Sequence, residues 1–391
     1  MKHAVFVELT DMQKIALIHF HALENYPPVM NFIRYWEDQR PEEKLFVYTT
    51  NCFSDLPVFK TSSDRIIIKR FIKSRKQVNF FSKLGKYMSF YGGVLWDMIR
   101  VKPKRIFYYE TISSFPATAY KKFFSPKVNL LIHYHEYTSP REYEGGMWLT
   151  RHFHKTEKKI YPISDWVSHT NEDRMRKFLE DNPGVSIPNK YILPNYPPKS
   201  WFTIRESAIG LPVKLVYIGA VSLDTMFTRE LAEWVIQQKG KVSWDIYASN
   251  ITADAKAYLA SLSETNLIRF HGGIDYFSLP ETLAKYDIGI ILYKGHIPNY
   301  VYNVPNKLFE YHTCGLDVWF PVSIVSSLPL VTVNTYPKII PFDFTRLHEL
   351  DLDGMTNRTN LKCKPSLFYA EEVFEGLYRK IVPVPDHMQH S

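Results

Sequence analysis

The residue pair best suited to chemistry lies in one short stretch of the C-terminal half. Lys307 and Glu310 are three residues apart, so on an α-helix they share one face. Asn303 and Pro305 are helix-entry signals and Gly315 is a helix stop, which predicts a short helix between them. The pair would therefore lie in the first turns of that helix.

This arrangement suits a nucleotide. A helix N-terminus carries about half a positive charge and free N–H groups, so it can hold a phosphate. Lys307 beside it would add a cation for a diphosphate, and Glu310 one turn deeper would bind ribose hydroxyls. An ordinary surface ion pair between the two is the alternative interpretation. We predict a nucleoside-diphosphate site that uses no metal and no cofactor.

Strand and helix patterns alternate along the chain on both sides of this site. Such alternation predicts α/β domains with parallel sheets. Strand patterns of the first series cover 4–9, 44–49, 65–71, 105–109, 128–134 and 162–169, with helical patterns at 29–37, 88–100, 148–159 and 172–180. Strand patterns of the second series cover 214–218, 244–248, 267–270, 288–293 and 318–320, with helical patterns at 229–238, 253–261, 280–286 and 305–314.

A proline-rich stretch at 191–200 separates the two series and suits an extended linker. We therefore expect two Rossmann-like domains, 1–196 and 197–391, facing a central cleft, with ligands at the carboxyl ends of the strands. An amphipathic pattern at 368–381 predicts a final helix that could return to the N-terminal domain.

Composition limits the partners and the compartment. The 391 residues carry a net charge of +8, which favours an anionic partner such as a nucleotide or a phospholipid. Three well-separated cysteines fit no zinc or disulfide spacing, so a reducing cytoplasm is expected. No apolar run approaches the ~20 residues of a membrane span, and no signal peptide is evident. No nucleic-acid-binding module is recognisable.

Several segments, in this order and spacing, resemble a GT-B glycosyltransferase, most closely bacterial glycosyltransferase family 4. The resemblance covers roughly residues 100–320 and is clearest from 214 onward. The segments that carry it are 132–137, 165–171, 193–195, 216–219, 271–273, 279–280 and 306–315.

The resemblance assigns donor-binding roles in the C-terminal domain. Glu310 matches the second glutamate of the family's E-x7-E motif, which binds ribose, whereas Tyr302 stands where the first glutamate holds the donor sugar. The loop residues Tyr302, Asn303 and Val304 would line the same site. The loss of that glutamate leaves the donor sugar open.

The resemblance also implies a phosphate site and close backbone approach. Arg229 opens the helix after the first strand of this domain and would meet the diphosphate together with Lys307. Gly219 and Gly273 match places where the backbone must approach the ligand. A solvated first-turn arginine and plain turn glycines are the alternatives.

In the N-terminal domain, His135 matches a strand-end histidine that contacts the donor sugar in similar enzymes. Glu136 is a further polar candidate beside it. His133, two residues earlier, and Glu110, after the 105–109 strand, are weaker candidates, and structural roles are the alternative for each.

The implied activity is that of a hexosyltransferase-type transferase (EC 2.4). It would move a sugar from a nucleoside diphosphate to a hydroxyl of a glycan or lipid-linked acceptor, with retention and in cell-surface polysaccharide synthesis. A sugar-nucleotide 2-epimerase of the same fold and a catalytically silent nucleotide-sugar-binding protein are the alternatives, and Tyr302 is the best support for the silent protein.

A basic stretch with interleaved aromatic residues covers 69–105. Such a stretch can lie on an anionic leaflet, with each cation near the surface worth about 1 kcal/mol. We expect a cytoplasmic protein that could associate peripherally with the inner leaflet. A solvated basic loop is the alternative.

Overall fold

Two parallel β-sheets with flanking helices form the framework of the protein. The computed structural model describes residues 12–53, 56–72, 80–205, 209–262 and 265–381, without the side chains of 80–83. Within these ranges the chain divides into two compact units. The first holds the residues up to Phe53 with Val58–His169 and Phe178–Ile192. The second holds Thr170–Lys177, the residues from Leu193 onward and a few residues ending at Pro57.

The first unit contains a seven-stranded sheet in its described part. Its strands are β1 (Gln13–His19), β2 (Glu43–Thr50), β3 (Ile66–Phe71), β4 (Arg105–Tyr109), β5 (Asn129–Tyr134), β6 (Trp166–His169) and β7 (Lys190–Ile192). The helices in this part of the chain are α1 (Pro27–Gln39), α2 (Phe80–Val101), α3 (Ser114–Phe123), α4 (Pro140–Gly145), α5 (Trp148–Glu157) and α6 (Glu172–Glu180). The paired strands run parallel in the order β3-β2-β1-β4-β5-β6-β7.

The second unit repeats this plan. Its strands are β8 (Val213–Ile218), β9 (Val242–Tyr247), β10 (Ile268–His271), β11 (Ile288–Ile290), β12 (Asp317–Pro321), β13 (Thr335–Tyr336), β14 (Ile339–Phe342) and β15 (Lys362–Cys363). Its helices are α7 (Thr228–Gln237), α8 (Ala253–Ser261), α9 (Leu279–Leu283), α10 (Pro298–Val301), α11 (Asn306–Thr313), α12 (Leu352–Thr356) and α13 (Ala370–Ile381). The main sheet has the order β10-β9-β8-β11-β12-β14, and β13 pairs with β15.

Both strand orders reverse direction once, between β1 and β4 in the first sheet and between β8 and β11 in the second. In doubly wound sheets a ligand binds outside the carboxyl ends of the strands at this switch point, because the flanking helices diverge there. The two switch points therefore mark where a site is expected in each unit.

Burial explains why these segments form these elements. Residues 15–18 of β1 are all fully buried, as expected for a parallel strand covered on both faces. Helix α1 begins with proline at its first position, and it buries Val29, Phe32, Ile33 and Trp36, the spacing of one helical face.

The predicted alternation of strands and helices is confirmed, with differences in detail. The predicted strand at 4–9 lies outside the described residues, and the apolar run after it forms β1. Nine described elements were not predicted: the strands β1, β7, β13, β14 and β15 and the helices α3, α4, α10 and α12. The predicted boundary after 196 stays a prediction, although Thr170–Lys177 is grouped with the second unit. Within the described ranges, no helix is both long and apolar enough to cross a membrane.

Candidate functional site

The switch point of the second sheet brings together Gly219 and Lys307. Gly219 follows β8 directly and has φ of 145°, a backbone conformation that favours glycine. An added Cβ at this position would lie 2.6 Å from Cε and 2.9 Å from Nζ of Lys307. The ammonium group thus lies directly against the backbone of the β8 turn, and the two residues, distant in sequence, form one site.

Lys307 stands in the first turn of α11, whose N-terminus has Pro305 as its cap residue and no side-chain cap. The first N–H groups of a helix have no partner within the helix, so this end favours an anion. Nζ of Lys307 is 3.5 Å from the Tyr293 hydroxyl. Burial lowers the pKa of Lys307, but Tyr293 and Glu310 outweigh burial and raise it, so the group is an ammonium at neutral pH.

Glu310 lies one turn further along α11 and is buried. Burial raises its pKa to about 7, while the charge of Lys307 acts in the opposite direction. A buried carboxylate at this position is stabilised by any hydroxyl donor that reaches it. The arrangement suits a ligand with an anionic group at Lys307 and hydroxyl groups at Glu310.

Tyrosine side chains form the surroundings of Lys307. The Ile218 N–H donates to the Tyr311 hydroxyl over 3.0 Å, which fixes α11 against the end of β8. The rings of Tyr293 and Tyr300 stack with centroids 4.7 Å apart. These tyrosines were not predicted as site residues, although the high density of tyrosine between 286 and 311 could have indicated them.

The predicted loop residues lie just before α11. The Tyr302 carbonyl accepts a hydrogen bond from Asn171 over 3.0 Å, and its ring lies 5.2 Å from the Lys177 ammonium. The Asn303 carbonyl accepts from Ser327 over 3.1 Å. Val304 is half-buried. The structure thus places Tyr302, Asn303 and Val304 on the chain that leads into the Lys307 site.

Two other predicted residues have different surroundings. The Arg229 guanidinium lies 4.5 Å from the centre of the Tyr258 ring on α8, and no described contact joins it to Lys307. Gly273 packs against Ser249, since an added Cβ would lie 2.9 Å from Cβ of Ser249. The roles of Arg229 and Gly273 stay predictions.

In the first unit, His135 lies in a cluster of rings at the carboxyl ends of β1, β4 and β5. It stacks on Tyr109 at 5.0 Å and lies 6.3 Å from His19. His19 in turn contacts Tyr26 at 4.4 Å. Burial, with His21 and His135, keeps the pKa of His19 well below its ordinary value, so it is neutral at pH 7. His19 and His21 were not predicted, although they directly follow the apolar run of β1.

The backbone around His135 is held by Glu110. The Glu110 carboxylate accepts the N–H of His135 over 2.7 Å and that of Glu136 over 3.3 Å. Glu110 itself has φ of 64° and ψ of 151°, a conformation that non-glycine residues rarely adopt. Nδ1 of His133 is 2.9 Å from the Ser168 hydroxyl. His135 and Glu136 therefore sit at a turn held by the Glu110 carboxylate, while His133 links neighbouring strands of the sheet.

A further buried acid in the first unit was also not predicted. Glu157 on α5 is fully buried and accepts hydrogen bonds from Tyr108 (2.9 Å), Thr111 (2.7 Å) and Tyr134 (3.0 Å). Burial raises its pKa to about 7 against the effect of these hydrogen bonds. No sequence signal distinguishes it, because it occupies one position of an otherwise ordinary amphipathic helix.

Comparison with known proteins identifies the fold. The chain is similar to a sucrose-phosphate synthase from Thermosynechococcus elongatus, at 14% identity and a TM-score of 0.64 over 94% of this chain and 99% of that one. It is similar to the lipopolysaccharide outer core galactosyltransferase WaaB in its apo form, at 14% identity and a TM-score of 0.58 over 94% and 99%. It is also similar to a UDP-GlcNAc 2-epimerase from Neisseria meningitidis bound to UDP-GlcNAc, at 10% identity and a TM-score of 0.51 over 94% and 100%.

No family model matches the sequence, and no curated protein matches it in sequence. The predicted GT-B fold of two parallel-sheet α/β domains is confirmed by the two sheets and these neighbours. Membership of glycosyltransferase family 4 stays a prediction, because the identities are low enough to show the fold alone.

Proposed function

We propose that this protein is a glycosyltransferase that moves a sugar from a nucleoside-diphosphate donor to a hydroxyl acceptor. The observation that carries the proposal is the ammonium of Lys307 against Gly219 at the uncapped N-terminus of α11, with buried Glu310 one turn away. This arrangement suits a diphosphate and a ribose, at the switch point where the fold binds ligands.

In the proposed reaction, the bond between the sugar C1 and the diphosphate oxygen breaks, and a bond from C1 to the acceptor oxygen forms. Lys307 and the α11 N-terminus stabilise the negative charge that develops on the departing diphosphate, as preorganised donors do in other enzymes. The positive charge of these groups allows the step without a metal. A β-phosphate oxygen takes the acceptor proton, so the mechanism needs no separate base, and C1 keeps its configuration.

The remaining roles in donor binding follow from the resemblance and are part of the proposal. Glu310 accepts the ribose hydroxyls, and the loop of Tyr302, Asn303 and Val304 faces the sugar portion. His135, with Glu136 beside it, is the candidate at the carboxyl edge of the first sheet. The similarity to WaaB supports a glycan or lipid-linked acceptor and a role in polysaccharide assembly.

The epimerase neighbour gives the second candidate function a specific basis. The two activities differ in product, since an epimerase inverts C2 of UDP-GlcNAc without any acceptor. Proton NMR of the protein with UDP-GlcNAc alone distinguishes them, because conversion to the C2 epimer without an acceptor would identify an epimerase.

The test of the transferase proposal is turnover of UDP-sugars by the wild type, Lys307→Ala and Glu310→Ala. We expect the wild type to transfer sugar, or to hydrolyse the donor slowly without acceptor, and Lys307→Ala to lose about 100-fold in kcat or more. Unchanged kinetics in both variants would contradict the proposal. Arg379→Ala, which removes an exposed arginine paired with Glu375 on α13, is the matched control.

We also propose that the first unit contacts an anionic membrane, at the inner leaflet, through part of 69–105. The structure narrows the candidate surface, because three cations of the stretch already pair with carboxylates. These pairs are Lys69–Asp97 (2.6 Å), Arg70–Glu24 (2.6 Å) and Arg105–Glu43 (2.7 Å). Residues 73–79 lie outside the described ranges.

What supports a membrane surface is the exposed side of α2 and the turn after it. Trp96 is 62% exposed and Met88 54%, and the Arg100 guanidinium lies 5.9 Å from the Trp96 ring. Lys102 and Lys104 are exposed beyond it. Exposed tryptophan with neighbouring cations is typical of residues that insert at a headgroup boundary.

A further inference from the structure

The segment Thr170–Lys177 lies within the stretch assigned from sequence to the N-terminal domain, yet it is grouped with the second unit. Its side chains contact the loop that connects β11 to α11. This loop contains the short helix α10 and ends at Pro305, the cap residue of α11. The contacts therefore reach the element that carries Lys307.

The central contact is made by Arg174, which is 3% exposed. Its Nη2 donates to the Asn299 carbonyl over 3.1 Å and to the Asn299 Oδ1 over 2.6 Å. Its Nη1 donates to the Thr170 hydroxyl over 3.0 Å. A buried guanidinium with three hydrogen bonds in a planar fork fixes its partners in orientation as well as distance.

Further contacts hold the C-terminal end of the same loop. Oδ1 of Asn171 accepts a hydrogen bond from the backbone N–H of Arg174 over 2.9 Å. Nδ2 of Asn171 donates to the Tyr302 carbonyl over 3.0 Å. The Asp173 carboxylate accepts from Ser326 over 2.5 Å, and the neighbouring Ser327 donates to the Asn303 carbonyl. Helix α10 is thus fixed at Asn299 and just after its last turn.

The fixed loop in turn supports the Lys307 site. Tyr300 of α10 stacks on Tyr293, and the Tyr293 hydroxyl is the group 3.5 Å from Nζ of Lys307. A continuous chain of contacts therefore runs from Arg174 through Asn299 and Tyr300 to Tyr293 and Lys307. Each link is a hydrogen bond, a covalent neighbour or a ring stack.

We propose that Arg174 is a positioning residue of the Lys307 site, holding the β11–α11 loop in the conformation that binds a nucleoside diphosphate. This role rests on the proposed function. Without Arg174, α10 loses its anchor and the binding-competent loop conformation is populated only part of the time. The apparent Kd then rises in proportion, so a loop that is competent about a tenth of the time gives a complex about tenfold weaker.

The experiment combines hydrogen–deuterium exchange with calorimetric titration by UDP, on the full chain and on Arg174→Ala. The amides of Tyr300, Tyr302 and Asn303 donate within the loop in the wild type and are expected to exchange slowly. In Arg174→Ala we expect faster exchange of these three amides and a UDP Kd about tenfold higher. Arg379→Ala, an exposed arginine on α13, should change neither.

Asn299→Ala guards against a folding defect in Arg174→Ala, because it removes one acceptor of the contact and leaves the guanidinium in place. Asn299→Ala should also speed exchange of the three loop amides and raise the UDP Kd, each by a smaller factor than Arg174→Ala. The double variant Arg174→Lys with Asn299→Asp replaces the anchor by an ion pair between the same two positions. It should restore UDP affinity toward that of the wild type.

The outcomes separate the two proposals. If the wild type binds UDP and folded Arg174→Ala binds it equally well, the positioning role is overturned, whether or not loop exchange changes. If the wild type binds none of the diphosphates UDP, GDP, ADP and dTDP, the proposed function is overturned and the positioning role with it. Faster loop exchange together with weaker UDP binding, rescued by the ion pair, supports the role of Arg174.

Discussion

Replacing Gly219 by alanine is the most informative single change at the candidate site. The new methyl group would lie 2.6 Å from Cε and 2.9 Å from Nζ of Lys307, so the lysine side chain must move away from the β8 turn. The residue would also keep a φ of 145°, which costs a non-glycine residue about 1–3 kcal/mol. The substitution should therefore weaken ligand binding and stability together.

The binding loss can be estimated from the interaction that Lys307 would make. A hydrogen bond to a charged group contributes about 1.5–3 kcal/mol. At about 1.4 kcal/mol for each factor of ten, its loss raises the Kd for UDP by about 10- to 150-fold. Calorimetric titration measures this directly, and urea unfolding measures the stability loss.

Gly240→Ala is the control that distinguishes the effect of backbone strain from the effect of moving Lys307 on UDP binding. Gly240 has φ of 89°, and an added Cβ there meets no described atom within 4 Å. This variant should lose stability but keep the UDP affinity of the wild type. If Gly219→Ala and Gly240→Ala bind UDP equally well, the contact between Gly219 and Lys307 has no part in nucleotide binding.

Three further predictions concern pH and the membrane. Burial raises the pKa of Glu310 to about 7, and ribose hydroxyls favour its ionised form. UDP affinity should therefore fall as pH drops below 7, by up to about tenfold per pH unit. Glu310→Gln should remove this pH dependence. Glu157 has a folded-state pKa raised from 4.5 to about 7, so its contribution to stability is complete below about pH 4.5 and is lost as pH rises through 7. Urea unfolding at pH 5 and pH 8 should show a loss of stability of about 2.5 kcal/mol, and Glu157→Gln should lack this loss. An equal pH dependence in either glutamine variant and the wild type would contradict the corresponding assignment. Binding to vesicles rich in anionic lipid, measured by co-sedimentation at low salt, should fall several-fold in Trp96→Ala. Phe270→Ala, at an exposed position of the second unit, is the control. Absence of binding by the wild type would rule out the membrane surface.

Hydrophobic periodicity was sufficient to predict most of the fold. Apolar runs such as 105–109 and 288–290 alternate with amphipathic helical patterns and are best explained as buried strands. The strand β1 was not predicted, although residues 15–18 are a short apolar run. Its pairing with β2 and β4 is a property of the assembled sheet.

The site could be predicted where one helix contained its residues and not where distant segments meet. Lys307 and Glu310 share α11, so their spacing was informative. The contact between Gly219 and Lys307 depends on where β8 ends relative to α11, and Arg174 reaches Asn299 across 125 positions of sequence. Such contacts follow from side-chain packing, for which a single sequence carries no periodic signal.

Calorimetry can establish whether the β8–α11 site binds a nucleoside diphosphate. Titration of the wild type and Lys307→Ala with UDP, GDP, ADP, dTDP and CMP should show selective binding of at least one diphosphate to the wild type. The same nucleotide should bind Lys307→Ala at least about tenfold more weakly. A wild type that binds none of the four diphosphates, or a Lys307→Ala variant that binds as tightly as the wild type, would contradict nucleotide binding at this site.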